Sequence, residues 1–208
     1  MTSSHQAASD NDAFKKVLGR LESDVGAILK LVAEEKDKRL SERPLWDGTA
    51  PFWALARLLL PVAEAVGDLL YKSVGGTSKN LRSVLENEFE RVRQGYRGKA
   101  AMLTTIFRHS LVHTDELRVL EHGLKRVRWS ISWNERPHHL RLTTDEDGAF
   151  RLKFDTTAFY DDLVAVLIDV SERTYNGEVM HRYNSWLVLN LDVEPGRNAD
   201  SIREIDAM

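Results

Sequence analysis

The spacing of apolar residues changes once along this chain, and that change limits the fold more than any other feature. From Phe14 onward the apolar positions are Phe14, Val17, Leu18, Leu21, Val25, Ile28, Leu29 and Val32, steps of three and four that lay one stripe along a helix. A second helix is expected from Pro51 to about Tyr71, where Gly75 and Gly76 stop it, with Pro61 kinking or dividing it. Thr77-Ser78-Lys79-Asn80 supplies caps for a third, whose stripe is Leu81, Val84, Leu85, Phe89, Val92 and Tyr96. Gly95 and Gly98 bracket a break, and a fourth helix begins near Lys99.

After Gly123 the period becomes two. Val127, Trp129, Ile131 and Trp133 alternate with polar residues, and two more short runs, HHLRLT and FRLKF, are set off by turn-rich residues. Three strands in an antiparallel meander are expected. Asp155 can then cap a last long helix carrying Phe159, Leu163, Val166, Leu167 and Val170, while HRYNSWLVLNL fits either helix or strand. The expected fold is mainly α, a four-helix bundle with a small antiparallel β meander and a C-terminal helix. The expected divisions are a disordered polar start at 1–12, the bundle at 13–122, the meander and C-terminal helix at 123–190 packed on it, and a solvated tail at 191–208.

Composition narrows the function classes. The 208 residues include no cysteine, which removes disulfides, thiolate nucleophiles and thiolate metal sites and fits a cytoplasmic setting. The apolar run PFWALARLLLPVAEAVGDLL is interrupted by Arg57, Pro61, Glu64 and Asp68, so neither a membrane span nor a membrane partner is expected. The net charge of −3 is unevenly spread: residues 79–141 hold 13 Lys/Arg against 7 Asp/Glu, whereas residues 142–208 hold 6 against 14. A locally basic segment can attract phosphate through its own field even in an acidic chain.

Within that basic segment lies RHSLVHTDE, residues 108–116, with two of the seven histidines. Three readings are open. In the first, His109, His113 and Glu116 share a helix face and hold zinc or iron, although Ser110 stands where the zinc-hydrolase helix motif has its glutamate. In the second, Arg108 and His113 form an Arg-x4-His pair. Composition alone yields roughly 0.6 such spacings by chance, so the weight comes from the helical, basic setting and from polar His109 beside the arginine. In the third, Arg108 pairs with a helix carboxylate such as Asp115 or Glu116 and the histidines bond locally.

The words Arg108, His109 and His113 in TIFRHSLVHTDEL resemble the signature of the HEPN family of helical-bundle proteins, an arginine followed by a polar residue and then a histidine four to six positions after the arginine. The resemblance covers about nine residues closely and the helical arrangement before residue 123 loosely. Many members are metal-independent ribonucleases that act as dimers, with two motifs facing each other. The resemblance therefore implies an RNA-binding homodimer, an endoribonuclease centre with Arg108 and His113 as catalytic groups and His109 in support, and no cofactor or metal. Other members keep the fold without activity. The alternative is a non-catalytic dimerisation or protein-interaction module whose acidic end recruits a protein or neutralising partner.

Other stretches read as structure. His138 and His139, flanked by Arg136 and Arg141, are expected on a surface hairpin. Trp129 and Trp133 are expected to pack on the bundle rather than stack bases, and DEDG at 145–148 is expected to be a turn, lacking the ligand spacing of a calcium loop. GGTSKN lacks the order of a phosphate-binding loop.

Overall fold

A computed structural model describes residues 3–42, 50–71, 77–105, 119–187 and 203–205. The chain is mainly helical, and its elements run α1 (Ser3–Glu42), α2 (Ala50–Leu70), α3 (Thr77–Val84), a π-helical turn (Leu85–Phe89), α4 (Glu90–Val92), α5 (Ala100–Leu103), β1 (Leu120–His122), β2 (Lys125–Ser132), β3 (Leu142–Thr144), β4 (Phe150–Asp155), α6 (Thr156–Ser171) and α7 (Glu178–Leu187). The predicted stripes of the first and third helices do the burying, with Phe14, Leu21 and Val25 of α1 and Leu81, Val84, Leu85 and Phe89 of the third rod joining Leu55, Leu59 and Val66 of α2 in one core, while Val92 of the predicted third stripe is exposed. Pro61 lies inside α2, which continues through it as a single element.

Helix α2 is the hub, touching α1, α3, α6 and α7. Its approach to α3 is close enough to require glycine. A Cβ built on Gly67 would sit 2.4 Å from the Asn80 carbonyl oxygen and 2.8 Å from its carbon. Those are backbone atoms, so the helices themselves would have to separate. Gly67→Ala is expected to cost about 2–3 kcal/mol by overpacking, read as a lowered urea midpoint. Gly19 of α1, whose Cβ would meet nothing within 4 Å, supplies the opposite case. Gly19→Ala should stabilise by up to about 1 kcal/mol through helix propensity.

Helix α1 begins at Ser3, ahead of Phe14, the first residue of the predicted stripe. Buried Asp10 gives the reason. Its carboxylate accepts from the backbone N–H groups of Gly177 and Met180, capping the first turn of α7 from another part of the chain. The stretch expected to be either helix or strand is helical through Leu187.

The four strands lie in the order β1-β2-β4-β3. This corrects the antiparallel meander: β1 is antiparallel to β2 and β3 to β4, but β2 and β4 run parallel, with Val127 opposite Phe150 and Ser132 opposite Asp155. Alternation assigns faces, not neighbours. The partner is fixed at the strand ends by the Asp155 carboxylate, which accepts from Ser132 Oγ at 3.1 Å and Glu135 N–H at 2.7 Å while capping α6 through Ala158 N–H at 2.8 Å. One buried side chain thus holds the end of β2, the end of β4 and the start of α6 together. Trp129, Leu152 and Phe154 face the helices, and the rings of Phe154, Phe159 and Phe89 lie in sequence at 5.0 Å, so the sheet shares the bundle core.

Candidate functional site

The residues that carry the functional reading, Arg108, His109 and His113, lie outside the described residues, as does Glu116. Their approach is described. Lys99 precedes α5, in which Ala100 and Leu103 are buried, and Thr104 donates its hydroxyl to the Ala100 carbonyl at 2.8 Å. Thr104 and Thr105 are wound as π-helix, four and three residues before Arg108. On the far side the chain enters the edge strand β1 at Leu120. The described residues on either side thus lie in the core at Leu103 and Thr104 and on the sheet edge at β1.

A second constellation was not anticipated. Arg136–His138 forms a short 3-10 turn, after which Leu140 and Arg141 together oppose Lys153 as a bulge, with Leu140 at φ +61°. The bulge turns His139 inward, correcting the surface hairpin expected for RPHHLRL: His139 is only 8% exposed. Its Nδ1 accepts the Asp155 backbone N–H at 2.9 Å, which leaves the ring proton on Nε2, 2.8 Å from the Tyr96 hydroxyl oxygen. Tyr96 in turn donates to Asp162 Oδ2 at 2.8 Å, and Arg93 Nε donates to the same oxygen at 2.7 Å.

Every member of this chain of bonds has a partner, as a buried polar network requires. Burial, then the Arg93 charge, hold His139 down to a pKa of about 3, so the ring is neutral at any ordinary pH. Burial and the Asp162 charge push the Tyr96 phenol well up. With both rings sealed among Phe89, Phe154 and Phe159, there is no room for a substrate. The network joins the loop after α4, the sheet and α6, and its work is structural. The sequence held one signal for it: Asp162 falls between Phe159 and Leu163 on the buried stripe of α6, where a carboxylate needs partners.

The π turn at Leu85–Phe89 carries a related cluster. Its Glu88 is 7% exposed, accepts from the Tyr71 hydroxyl and pairs with Arg173, which also pairs with Asp169. Leu85, Glu88 and Phe89 are all buried, at the i, i+3 and i+4 spacing of one helix face.

The outer face of the sheet bears Arg126 and Arg128 of β2 and Arg151 of β4, a candidate phosphate surface by charge alone. Each is engaged. Arg126 pairs with Glu121 at 2.7 Å, Arg128 with Asp147 at 2.7 Å, and Arg151 grips both oxygens of Asp145 at 2.9 and 2.7 Å. These hydrogen bonds from Arg151 hold the Asp145 carboxyl below its usual range. Asp145 and Asp147 belong to DEDG, which is the expected turn, with Gly148 at φ +78°. Trp129 is buried on the opposite face, as packing predicted.

Among the described residues, no three His, Asp or Glu side chains gather to hold a metal ion, and no helix is long and apolar enough to cross a membrane. No family model, curated protein or solved structure matches the chain, so its own residues carry the functional argument.

Proposed function

We propose that the chain is a HEPN-like, RNA-directed homodimer of the cytoplasm that cleaves RNA without a metal, with Arg108 and His113 as its catalytic pair and His109 as a supporting donor. The observation that carries this reading is the sequence word Arg108-His109 followed by His113, set in the basic part of the chain. On a regular α-helix, residues five apart lie about 140° around the axis. The length of the arginine side chain, or the partner subunit, would bring the two groups together.

The chemistry follows from the two groups. His113 takes the proton from a ribose 2′-hydroxyl; the 2′-oxygen attacks phosphorus; the bond from phosphorus to the 5′-oxygen breaks. The leaving oxygen regains a proton from a histidine, giving a 5′-hydroxyl end and a 2′,3′-cyclic phosphate. Arg108 keeps its charge throughout and faces the negative charge that builds on the phosphate oxygens.

Purified protein incubated with mixed RNAs in chelator tests the proposal. The wild type should cleave, and Arg108→Ala and His113→Ala should each lose about 100-fold or more of the rate. Equal cleavage by all three would overturn it. The alternative of a non-catalytic interaction module draws on a different observation, an open apolar groove on the helical side of the molecule. Absence of cleavage in all three would favour it.

A further inference from the structure

Helix α7 starts without a cap of its own. Gly177 is its N-cap residue, since its carbonyl accepts the first helical bond from His181 N–H at 3.4 Å, and glycine has no side chain to satisfy the free amides of the first turn. Asp10 of α1 does so from outside. It is fully buried, and its two oxygens accept from Gly177 N–H at 2.5 Å and from Met180 N–H at 2.6 Å. Those are the N-cap and N3 amides that a capping box satisfies with two local side chains. Here one distant carboxylate serves both.

The residue before Gly177 gives that contact a chemical consequence. Asn176 is exposed, lies in no helix or strand, and its side-chain amide takes no hydrogen bond among the described residues. Gly177 stands at φ +93°, a conformation that favours glycine, so the turn itself calls for an Asn-Gly pair or one like it. With no Cβ on Gly177, nothing shields its backbone nitrogen from the Asn176 side chain. The Gly177 nitrogen can give up its proton and bond to Cγ of Asn176. The bond from Cγ to the side-chain nitrogen breaks, and that nitrogen leaves with the proton as ammonia, closing a five-membered imide. Water then opens the imide at either carbonyl, leaving aspartate or, with the backbone passing through Cγ, isoaspartate. The nitrogen that must attack is the one Asp10 holds. Its proton is donated to a charged acceptor, and the carboxylate opposes the negative charge the nitrogen gains on losing it.

We propose that Asn176-Gly177 is a self-modification site and that Asp10 sets its rate: deamidation is held off while the α1 carboxylate binds the Gly177 amide, and proceeds when that contact opens. The conversion is one-way and acts back on the junction. A new carboxylate appears one residue before the amide that Asp10 binds, and the isoaspartate form adds a methylene to the backbone leading into Gly177.

Full-length protein aged in mildly alkaline buffer, then cut into peptides and weighed by mass spectrometry, tests this. The readout is the rate at which the peptide holding Asn176 gains the mass of an NH2-to-OH exchange. Asp10→Ala should speed it about tenfold or more over the wild type, the effect of releasing an amide from a charged acceptor. Asp10→Asn keeps the shape and an acceptor oxygen without the charge and should lie between the two; it carries the test should the alanine variant not fold. Asn184, exposed within α7 and followed by Ser185, is the internal reference, because unfolding of the helix speeds both sites whereas release of one amide speeds Asn176 alone. Wild type unfolded in urea should match or exceed the Asp10→Ala rate at Asn176. A folded wild type that deamidates there as fast as the unfolded chain, or a rise in the variants no larger at Asn176 than at Asn184, would overturn the proposal.

Discussion

Asp155→Ala should lower the stability of the fold by about 3 kcal/mol, a large share of what a domain of this size possesses. The estimate is built from the bonds the carboxylate makes. Loss of the α6 cap at Ala158 accounts for about 1–2 kcal/mol. The Ser132 hydroxyl and Glu135 N–H also lose their acceptor, and Asp155 itself is fully buried, so its removal leaves a hole that water cannot readily enter. Asp155→Asn keeps one acceptor oxygen and should fall between the two. Urea unfolding checks the ranking, and a loss below about 1 kcal/mol for the alanine variant would mean that this side chain does not tie β2, β4 and α6 together.

Acid should expose the second large effect. His139 is held neutral in the folded protein, with a pKa near 3, against an ordinary value of 6.5 in an unfolded chain. Its folded pKa is depressed, so between pH 6.5 and 3 the unfolded chain binds the extra proton. The stability tied to the neutral ring is complete above pH 6.5 and falls as the pH drops through that window, by about 1.4 kcal/mol per unit. A proton arriving on Nδ1 would also break the bond from Asp155 N–H. The groups facing the ring are Tyr96 and, beyond it, Asp162 and Arg93, whose positive charge works in the same direction. His139→Gln retains a donor toward Tyr96 and has no proton to gain. Its stability should be lower at pH 7 and much flatter between pH 6.5 and 4. Parallel acid limbs for the two proteins would show that the ring is not the titrating group.

The helices were legible because each buries one stripe, and a stripe is a local property. The change of period after Gly123 likewise placed β2 and β4, and Asp155 was readable as the cap of α6. What stayed hidden depended on partners distant in sequence. Nothing in the alternation of Val127, Trp129 and Ile131 says that the parallel neighbour is β4 rather than β3; that follows from where Asp155 makes its other bonds. Polar Asp10 suggested a loose end until the amides of Gly177 and Met180 reached it. A bulge at Leu140–Arg141 decides that His139, not His138, enters the core, and dipeptide spacing carries no trace of it.

The candidate site divides in the same way. Arg108, His109 and His113 were found from the sequence alone, through their order and setting, and they lie outside the described residues. The Arg93, Tyr96, His139 and Asp162 network emerged only from the structure. Its histidine is buried, tautomerically fixed and far below neutrality in pKa, which are the properties of a structural bond rather than of a proton shuttle. Among the histidines singled out in the sequence, His113 is the one assigned to acid–base work.

The end group left on cleaved RNA tests that assignment most directly. If the proposed mechanism holds, with the RNA's own 2′-oxygen attacking and Arg108 and His113 supplying charge and proton transfer, wild-type protein in chelator should leave a 2′,3′-cyclic phosphate facing a 5′-hydroxyl. Fragments ending in a free 3′-hydroxyl, or cleavage that disappears entirely in chelator, would contradict the account.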